Sequence, residues 1–349
     1  MSLSVIVSGA YLLSEIIEHF YPAPRSQSGG LGNKLRGLCI EEPNLQPYDE
    51  YIQTTQQKDK VMTKIALVTG SSRGLGKSTA LNLAKKGVNV IVTYHRNAEE
   101  AKNVVAEIEQ LGAKAVALQL DTADTKTFDS FAAQVQQSLK AQWQTEHFDF
   151  LVNNAGTSVH SSFAETTEED FDHLMNIHLK GVFFLTQKLL PLINDGGRIV
   201  NLSTGLTRIT FPGYAAYATM KGAMETLTKY MAKELGARRI AVNIVAPGDS
   251  QTIDKNGQPS SENVVGYRGS SKQGTVSFLS TFIPRAIETD FAGGVVRDNP
   301  EFNQYIASIT ALGRVGLPDD IGGAIASLLS EDNRWVNAQR IEVSGGQSI

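Results

Sequence analysis

Two short stretches of this chain combine residue types and spacings that can do chemistry. The first is Thr69-Gly70-Ser71-Ser72-Arg73-Gly74-Leu75-Gly76, which follows the apolar run Ile65-Ala66-Leu67-Val68 and opens a helical pattern. Glycines let a backbone turn tightly and approach a pyrophosphate, and the N–H groups at the start of a helix then stabilise the anion. Gly70, Ser72, Arg73, Gly74, Leu75 and Gly76 are therefore candidate phosphate contacts. A glycine pattern alone is a weak signal, and the strand before it and the helix after it give it meaning. The second stretch is Tyr217-Ala218-Thr219-Met220-Lys221. Of the ten tyrosines, only Tyr217 has a lysine four residues on. Residues at i and i+4 share one helix face. A free phenol, with a pKa of about 10, exchanges protons reluctantly at neutral pH, and a neighbouring ammonium lowers that value. A lowering of ~2–3 units corresponds to ~3–4 kcal/mol of differential interaction. Tyr217 thus reads as a general acid/base tuned by Lys221, suited to handing a proton to a carbonyl oxygen as hydride reaches the carbon.

The surrounding elements form a simple alternation. After Ile65–Val68, strand-like runs fall near 88–94, 114–120, 148–152, 197–202 and 239–245, with a last one at 340–343. Helical patterns lie between them, near 75–86, 98–111, 124–142, 167–190 and 213–236. Thr166-Thr167-Glu168-Glu169 has the form of a capping box that starts one of these helices. Continuous apolar strands alternating with helices predict a single α/β domain of Rossmann type, a doubly wound parallel sheet with helices on both faces.

Hydrophobic residues make up 41% of the 349, enough for a sizeable core, and charged residues 19%, too few for a disordered chain. The net charge of -4, with no long basic run, favours neither nucleic acid nor a membrane surface as partner. No apolar segment is long enough to span a bilayer. The stretch from Leu3 to Leu13 lacks a basic leader and runs into Glu15 and Glu18, which makes a poor signal peptide. One cysteine, Cys39, allows no internal disulfide and fits a reducing, cytoplasmic setting.

The G-x-x-x-G-x-G spacing of the glycine loop resembles that of the short-chain dehydrogenase/reductase family, and other pieces follow in that family's order. Asn153-Asn154-Ala155-Gly156 lies after the fourth strand, Tyr217 and Lys221 form its Y-x-x-x-K, and Pro247-Gly248 follows the sixth strand. The resemblance covers 62–248 and 286–349 and is specific for the family, much less so for a substrate. It implies a nicotinamide cofactor held by the glycine loop, by Asp121 at the adenine, by Asn153, Ala155 and Gly156, by Tyr217 and Lys221, and by Pro247, Gly248 and Thr289 at the nicotinamide end. It also implies a homotetramer or homodimer. The apolar run Val182-Phe183-Phe184-Leu185 and the last strand are candidate interface surfaces that would serve equally well as core.

Two positions depart from the family pattern. The family's serine, thirteen residues before the tyrosine, is here Thr204, with Ser203 beside it. Threonine keeps the hydroxyl but is stiffer at χ1, and strand alternation lets only one of the two face inward. The family's helix asparagine is replaced by His178, which is either a proton relay or a packed helix residue.

NAD sites of this architecture carry an acid after the second strand, whereas NADP sites supply a cation for the 2′-phosphate. Here the second strand runs into Tyr94-His95-Arg96-Asn97, with no acid before Glu99. Arg73 and Arg96 are available cations, so NADP(H) is favoured over NAD(H).

Residues 1–61 form an extension of unassigned role, with an amphipathic pattern at Leu12, Leu13, Ile16, Ile17 and Phe20 and a Pro/Gly/Ser-rich run from Tyr21 to Gly32. Residues 249–285 are rich in Ser, Gly, Gln and Asn. Their removal joins Gly248 to Ala286-Ile287-Glu288-Thr289, which resembles the family's uninterrupted P-G-x-I-x-T, so they read as an insertion splitting a lid motif within a 62–349 domain. The expected activity is NADP(H)-dependent hydride transfer between cofactor and a small-molecule carbonyl/alcohol pair, similar to 3-oxoacyl-thioester reductases. The alternative is a cofactor-binding sensor or scaffold without turnover, against which the intact Tyr217/Lys221 pair argues.

Overall fold

A computed structural model describes residues 63–248, 287–289 and 295–349. The expectations for residues 1–61 and for the 249–285 insertion, with Ala286, lie outside the described residues.

Seven parallel strands form one sheet in the order β3-β2-β1-β4-β5-β6-β7. They are β1 (Ile65–Val68), β2 (Asn89–Tyr94), β3 (Ala115–Gln119), β4 (Phe148–Asn153), β5 (Ile193–Leu202), β6 (Ala241–Pro247) and β7 (Arg340–Val343). The long helices between them are α1 (Gly74–Lys85), α2 (Ala98–Gln110), α3 (Phe128–Trp143), α4 (Glu168–Met175), α5 (Gly181–Leu189) and α6 (Ala215–Glu234). Three more follow, α7 (Val295–Asp298), α8 (Pro300–Ser308) and α9 (Pro318–Leu328). Strand order reverses between β1 and β4, and in such sheets ligands bind outside the strand C-termini at that switch. This is the doubly wound Rossmann-type architecture expected from the alternation of elements.

The sheet is buried on both faces, which is why its strands read as continuous apolar runs. One core layer packs Val68, Val90, Val92, Val152 and Val245 against Leu83, Ile321 and Ile325 of α1 and α9. The opposite layer packs Leu67, Ile91, Leu151 and Val242 against Phe128, Val135, Leu139 and Leu185 of α3 and α5.

Three local expectations are corrected. β5 begins at Ile193, four residues ahead of the expected 197, because Ile193 already pairs with Phe148 before a register shift. The N-cap sits one residue later than read. Thr167 is the N-cap, its side chain accepting from Asp170 N–H at 3.1 Å, while the Thr166 hydroxyl donates to Ser162 O. The expected helix over 167–190 is interrupted by a π-helical segment at Asn176–Lys180, between α4 and α5. Such segments add one residue to a helical turn and occur often at functional sites.

Candidate active site

The glycine loop runs from β1 into α1 and is fastened to both neighbouring strands. Gly70 N–H donates to Thr93 Oγ1 at 3.0 Å and Ser71 N–H to Thr93 O at 2.9 Å, both on β2. On the β4 side, Asn154 Nδ2 donates to Thr69 O at 2.8 Å and Gly70 O at 3.1 Å. The Asn154 and Ala155 amides both reach Thr69 Oγ1 at 2.9 Å. Gly70 has φ +63, a conformation that costs L side chains ~1–2 kcal/mol. A Cβ on Gly76 would run into Gly70 O and stand 2.5 Å from Asn154 Nδ2, so backbone approaches backbone here as only glycine permits.

The first intrahelical bond of α1 is Lys77 N–H to Arg73 O at 3.1 Å, which leaves the amides of Gly74, Leu75 and Gly76 directed past the helix start. This cradle fits the pyrophosphate of a dinucleotide. Ser72 and Leu75 lie half-buried along it, and Arg73 is exposed at its rim. Arg96, exposed just after β2, and Arg73 enter no ion pair found among the described residues. Asp121, after β3, stands 3.4 Å from His95 at the end of β2, on the side where an adenosine would extend.

Asn153, expected as a cofactor contact of the Asn-Asn-Ala-Gly run, turns its side chain towards β5 and α5. Its side chain points away from the loop, donating to Asn201 Oδ1 at 2.8 Å and Thr186 Oγ1 at 3.2 Å. It is the last residue of β4, and its neighbour Asn154 faces the other way, as alternation in a strand requires. Asn154 and Thr69 are therefore site residues that the sequence reading did not single out. The doubled asparagine was the available signal.

On the other side of the switch, α6 carries Tyr217 and Lys221 on its inward face with Met220, Met224, Thr228 and Ala232. Gly213, at φ +87, turns the chain into this helix. Tyr217 and Lys221 are only 7% and 6% exposed. The Lys221 ammonium lies 5.7 Å from the Tyr217 ring centroid and donates to Leu202 O at 2.9 Å. The helix thereby grips the end of β5 two residues before Thr204.

Ser203 and Thr204 are both buried but do different things. The Ser203 hydroxyl donates to Glu225 at 2.6 Å, while Thr204 caps a short 3-10 turn at Gly205–Thr207, accepting from Leu206 N–H at 3.4 Å. Burial raises the Glu225 carboxyl, but bonds from Ser203, Thr207 and Arg340, with the Arg340 charge, outweigh it and hold the carboxyl below its usual range.

His178, 2% exposed, sits within the π segment. Its ring stands edge-on to Tyr217, 5.2 Å between centroids, and its Nε2 lies 2.7 Å from Thr157 O. That short contact places a proton on Nε2, so the longer 3.4 Å approach of Thr157 N–H to the same atom is not a hydrogen bond. A Cβ on Gly156 would meet the His178 ring at 2.8 Å, which ties the loop after β4 to the helix behind Tyr217.

Where the nicotinamide end is expected, Gly248 N–H bonds Val343 O at 3.2 Å, which extends the β6–β7 pairing past Pro247. Ile287 bridges Gly316, and Thr289 lies half-buried two residues on. No cluster of metal-binding side chains and no helix long and apolar enough to cross a membrane is found among the described residues.

The sequence matches a family model described as short chain dehydrogenase over residues 64–281, and one described as Enoyl-(Acyl carrier protein) reductase over 281–348. It is 35% identical over 300 residues to tetrahydroxynaphthalene reductase PfmaG of Pestalotiopsis fici, covering 84% of this chain and 95% of that protein. It is 34% identical over 284 residues to the hydroxynaphthalene reductase-like protein Arp2 of Metarhizium brunneum, covering 81% and 94%. Among solved structures it is similar to the reductase LugOII, described as promiscuous and as catalysing a keto-reduction in lugdunomycin biosynthesis, at TM-score 0.68 and 32% identity, covering 82% and 99%. It is also similar to the angucycline C-6 ketoreductase LanV with bound NADP, at TM-score 0.67 and 32% identity, covering 82% and 96%. A cofactor cradle, a tyrosine–lysine helix and this ancestry agree, and the chain belongs to the short-chain dehydrogenase/reductase family as an oxidoreductase acting on carbonyl and alcohol groups.

Proposed function

We propose that this enzyme is an NADPH-dependent ketoreductase whose substrate carbonyl is borne on a hydroxylated, fused-ring aromatic skeleton. The observation that carries the catalytic reading is the pairing of two buried residues on successive turns of α6, Tyr217 with Lys221 beside its ring. When bound, the nicotinamide supplies the hydride. Tyr217 donates its phenolic proton to the substrate oxygen as that oxygen gains negative charge, and its phenolate is then refilled from solvent. Lys221 stabilises the phenolate and so brings the proton within reach of neutral pH. Thr204 holds the substrate oxygen, because the Ser203 hydroxyl proton is already given to Glu225. His178 packs against Tyr217 and keeps the Thr157 carbonyl in place, a positioning role rather than a relay.

The aromatic substrate class is supported by the names of the naphthalene reductases and of the angucycline ketoreductase. The side chains near Tyr217 agree with it. Phe211 and Tyr214 pack in the same cluster as Tyr217, and His160 meets Tyr214 edge-on at 4.9 Å. Preference for NADPH rests on Arg73 and Arg96. We further propose a homodimer or homotetramer in a reducing compartment such as the cytoplasm. Of the run Val182–Leu185, Val182 and Leu185 are core, whereas Phe183 and Phe184 are 42% and 39% exposed and available to a second copy.

The test is NADPH consumption by the purified chain with a hydroxynaphthalene-derived ketone, an aliphatic ketone and a 3-oxoacyl thioester. The expected order places the fused-ring ketone first. NADPH binding without consumption on any of the three would sink the catalytic reading, and a preference for the thioester would sink the substrate class.

A further inference from the structure

Four charged side chains surround the turn that carries Thr204. Glu225 lies two turns beyond Tyr217 on α6, in the i, i+4, i+8 row Tyr217, Lys221, Glu225. One of its oxygens, Oε1, accepts from Ser203 Oγ at 2.6 Å, Thr207 Oγ1 at 2.7 Å and Arg340 Nε at 2.8 Å. Arg340 belongs to the edge strand β7, on the far side of β6 from β5. Its Nη2 donates to Thr204 O and to Thr207 Oγ1, each at 3.2 Å. Its Nη1 reaches Glu342 at 3.1 Å, and Glu342 holds both branches of the Arg208 guanidinium, at 2.9 and 2.6 Å. Thr207 has one hydroxyl proton, and the shorter contact assigns it to Glu225 rather than to Thr204 O at 3.0 Å.

Three consecutive residues are thus each anchored by a different side chain, two from α6 and one from β7. Leu202 O is held by Lys221, the Ser203 side chain by Glu225 and Thr204 O by Arg340. Glu225 and Arg340 are mostly covered, with side chains 20% and 23% exposed. An ion pair so placed is a poor source of net stability, since desolvation offsets its attraction, but it fixes geometry well when every donor and acceptor is used.

The geometry points to Glu225 and Arg340 as positioning residues that aim the Thr204 hydroxyl at the substrate oxygen. Neither touches that oxygen. They act through the main chain of the 203–208 turn, and the same helix that sets the height of Tyr217 sets the turn as well. The catalytic part of this inference rests on the ketoreductase reading above.

The test uses the full chain as wild type, Glu225→Ala, Thr204→Ala and the double variant. Glu225→Ala is expected to lower kcat by ~10–10²-fold, the scale of small misplacements at a reacting centre, with KM for NADPH unchanged. In the Thr204→Ala background the same change should alter kcat by less than about twofold, because the group it aims is gone. Glu225→Gln, which keeps the acceptor oxygen, should recover part of the rate. Equal factors in the two backgrounds would show a merely structural role and overturn the proposal. Should Glu225→Ala fail to fold, Arg340→Lys replaces it, with the same pattern expected. A readout independent of turnover is hydrogen exchange at the Leu206, Arg208 and Ile209 amides. It should quicken at least about tenfold in the variant, while exchange in β1 and β4 stays unchanged. Unchanged exchange at the turn overturns the clamp whether or not the wild type reduces a ketone, so the two readings fail separately.

Discussion

The two sides of the sheet switch are built by different means. On the β1–β2 side the site is made of backbone, with glycines packed against backbone and amides at a helix start, and side chains serve only to tether it. On the β5–β6 side it is made of side chains, with Tyr217, Lys221 and Thr204 placed by Glu225, Arg340 and His178. A backbone site recognises what every dinucleotide shares and is damaged chiefly by added atoms. A side-chain site performs the reaction-specific step and is damaged chiefly by removed ones.

Substitutions on the two sides should therefore fail in different measurements. The largest expected effect is Tyr217→Phe, which removes the transferable proton and keeps the ring. Turnover should fall by ~10²–10⁴-fold while the NADPH dissociation constant is unchanged. A variant that kept more than a tenth of the rate with the same pH profile would remove Tyr217 from its role. Next comes Gly76→Val, where added carbons would meet Gly70 O and Asn154. Overpacking costs ~1–3 kcal/mol, or roughly 5–150-fold in cofactor affinity by fluorescence titration. Turnover at saturating cofactor should change little, and the comparison breaks if kcat falls instead.

Smaller still is Arg73→Ala or Arg96→Ala. Each is exposed, so its contact with a 2′-phosphate is discounted from the usual charged hydrogen bond to about 1 kcal/mol, near fivefold for NADPH. NADH affinity should not move, and an equal loss for both cofactors would deny the arginines their role. The smallest effect is expected at Gly74, where a Cβ meets nothing within 4 Å and only φ +56 is strained. Gly74→Ala should cost about 1 kcal/mol of stability in denaturant melts, with cofactor affinity preserved.

The same division explains what was legible in the sequence. The alternation of strands and helices and the glycine loop followed from local patterns, because apolar runs and glycine spacing are contiguous in the chain. The Asn154 tether reaches Thr69 across 85 residues, and no local pattern distinguishes it from Asn153 beyond the alternation of a strand whose last residue was not known. The thirteen-residue spacing to Tyr217 favoured Thr204 over Ser203, but the reason lies in Glu225, distant in sequence, which takes the Ser203 hydroxyl. The π segment at His178 left no mark, since an added residue in a helical turn looks like ordinary helix. The N-cap was misplaced by one because Thr166 and Thr167 are each followed, three residues on, by an acid.

The bond from Arg340 to Thr204 spans 136 residues. Ribosomes add about 5–20 residues per second, so the arginine emerges roughly 7–27 s after the threonine it holds. Through that interval the nascent chain can close β1, β2 and β4 around the glycine loop, but the turn after β5 waits for its clamp. The protein should acquire affinity for its cofactor before it acquires the full power to use it. A ribosome-bound chain stalled short of residue 340 should capture NADPH yet use it ~10–10²-fold more slowly than the finished protein.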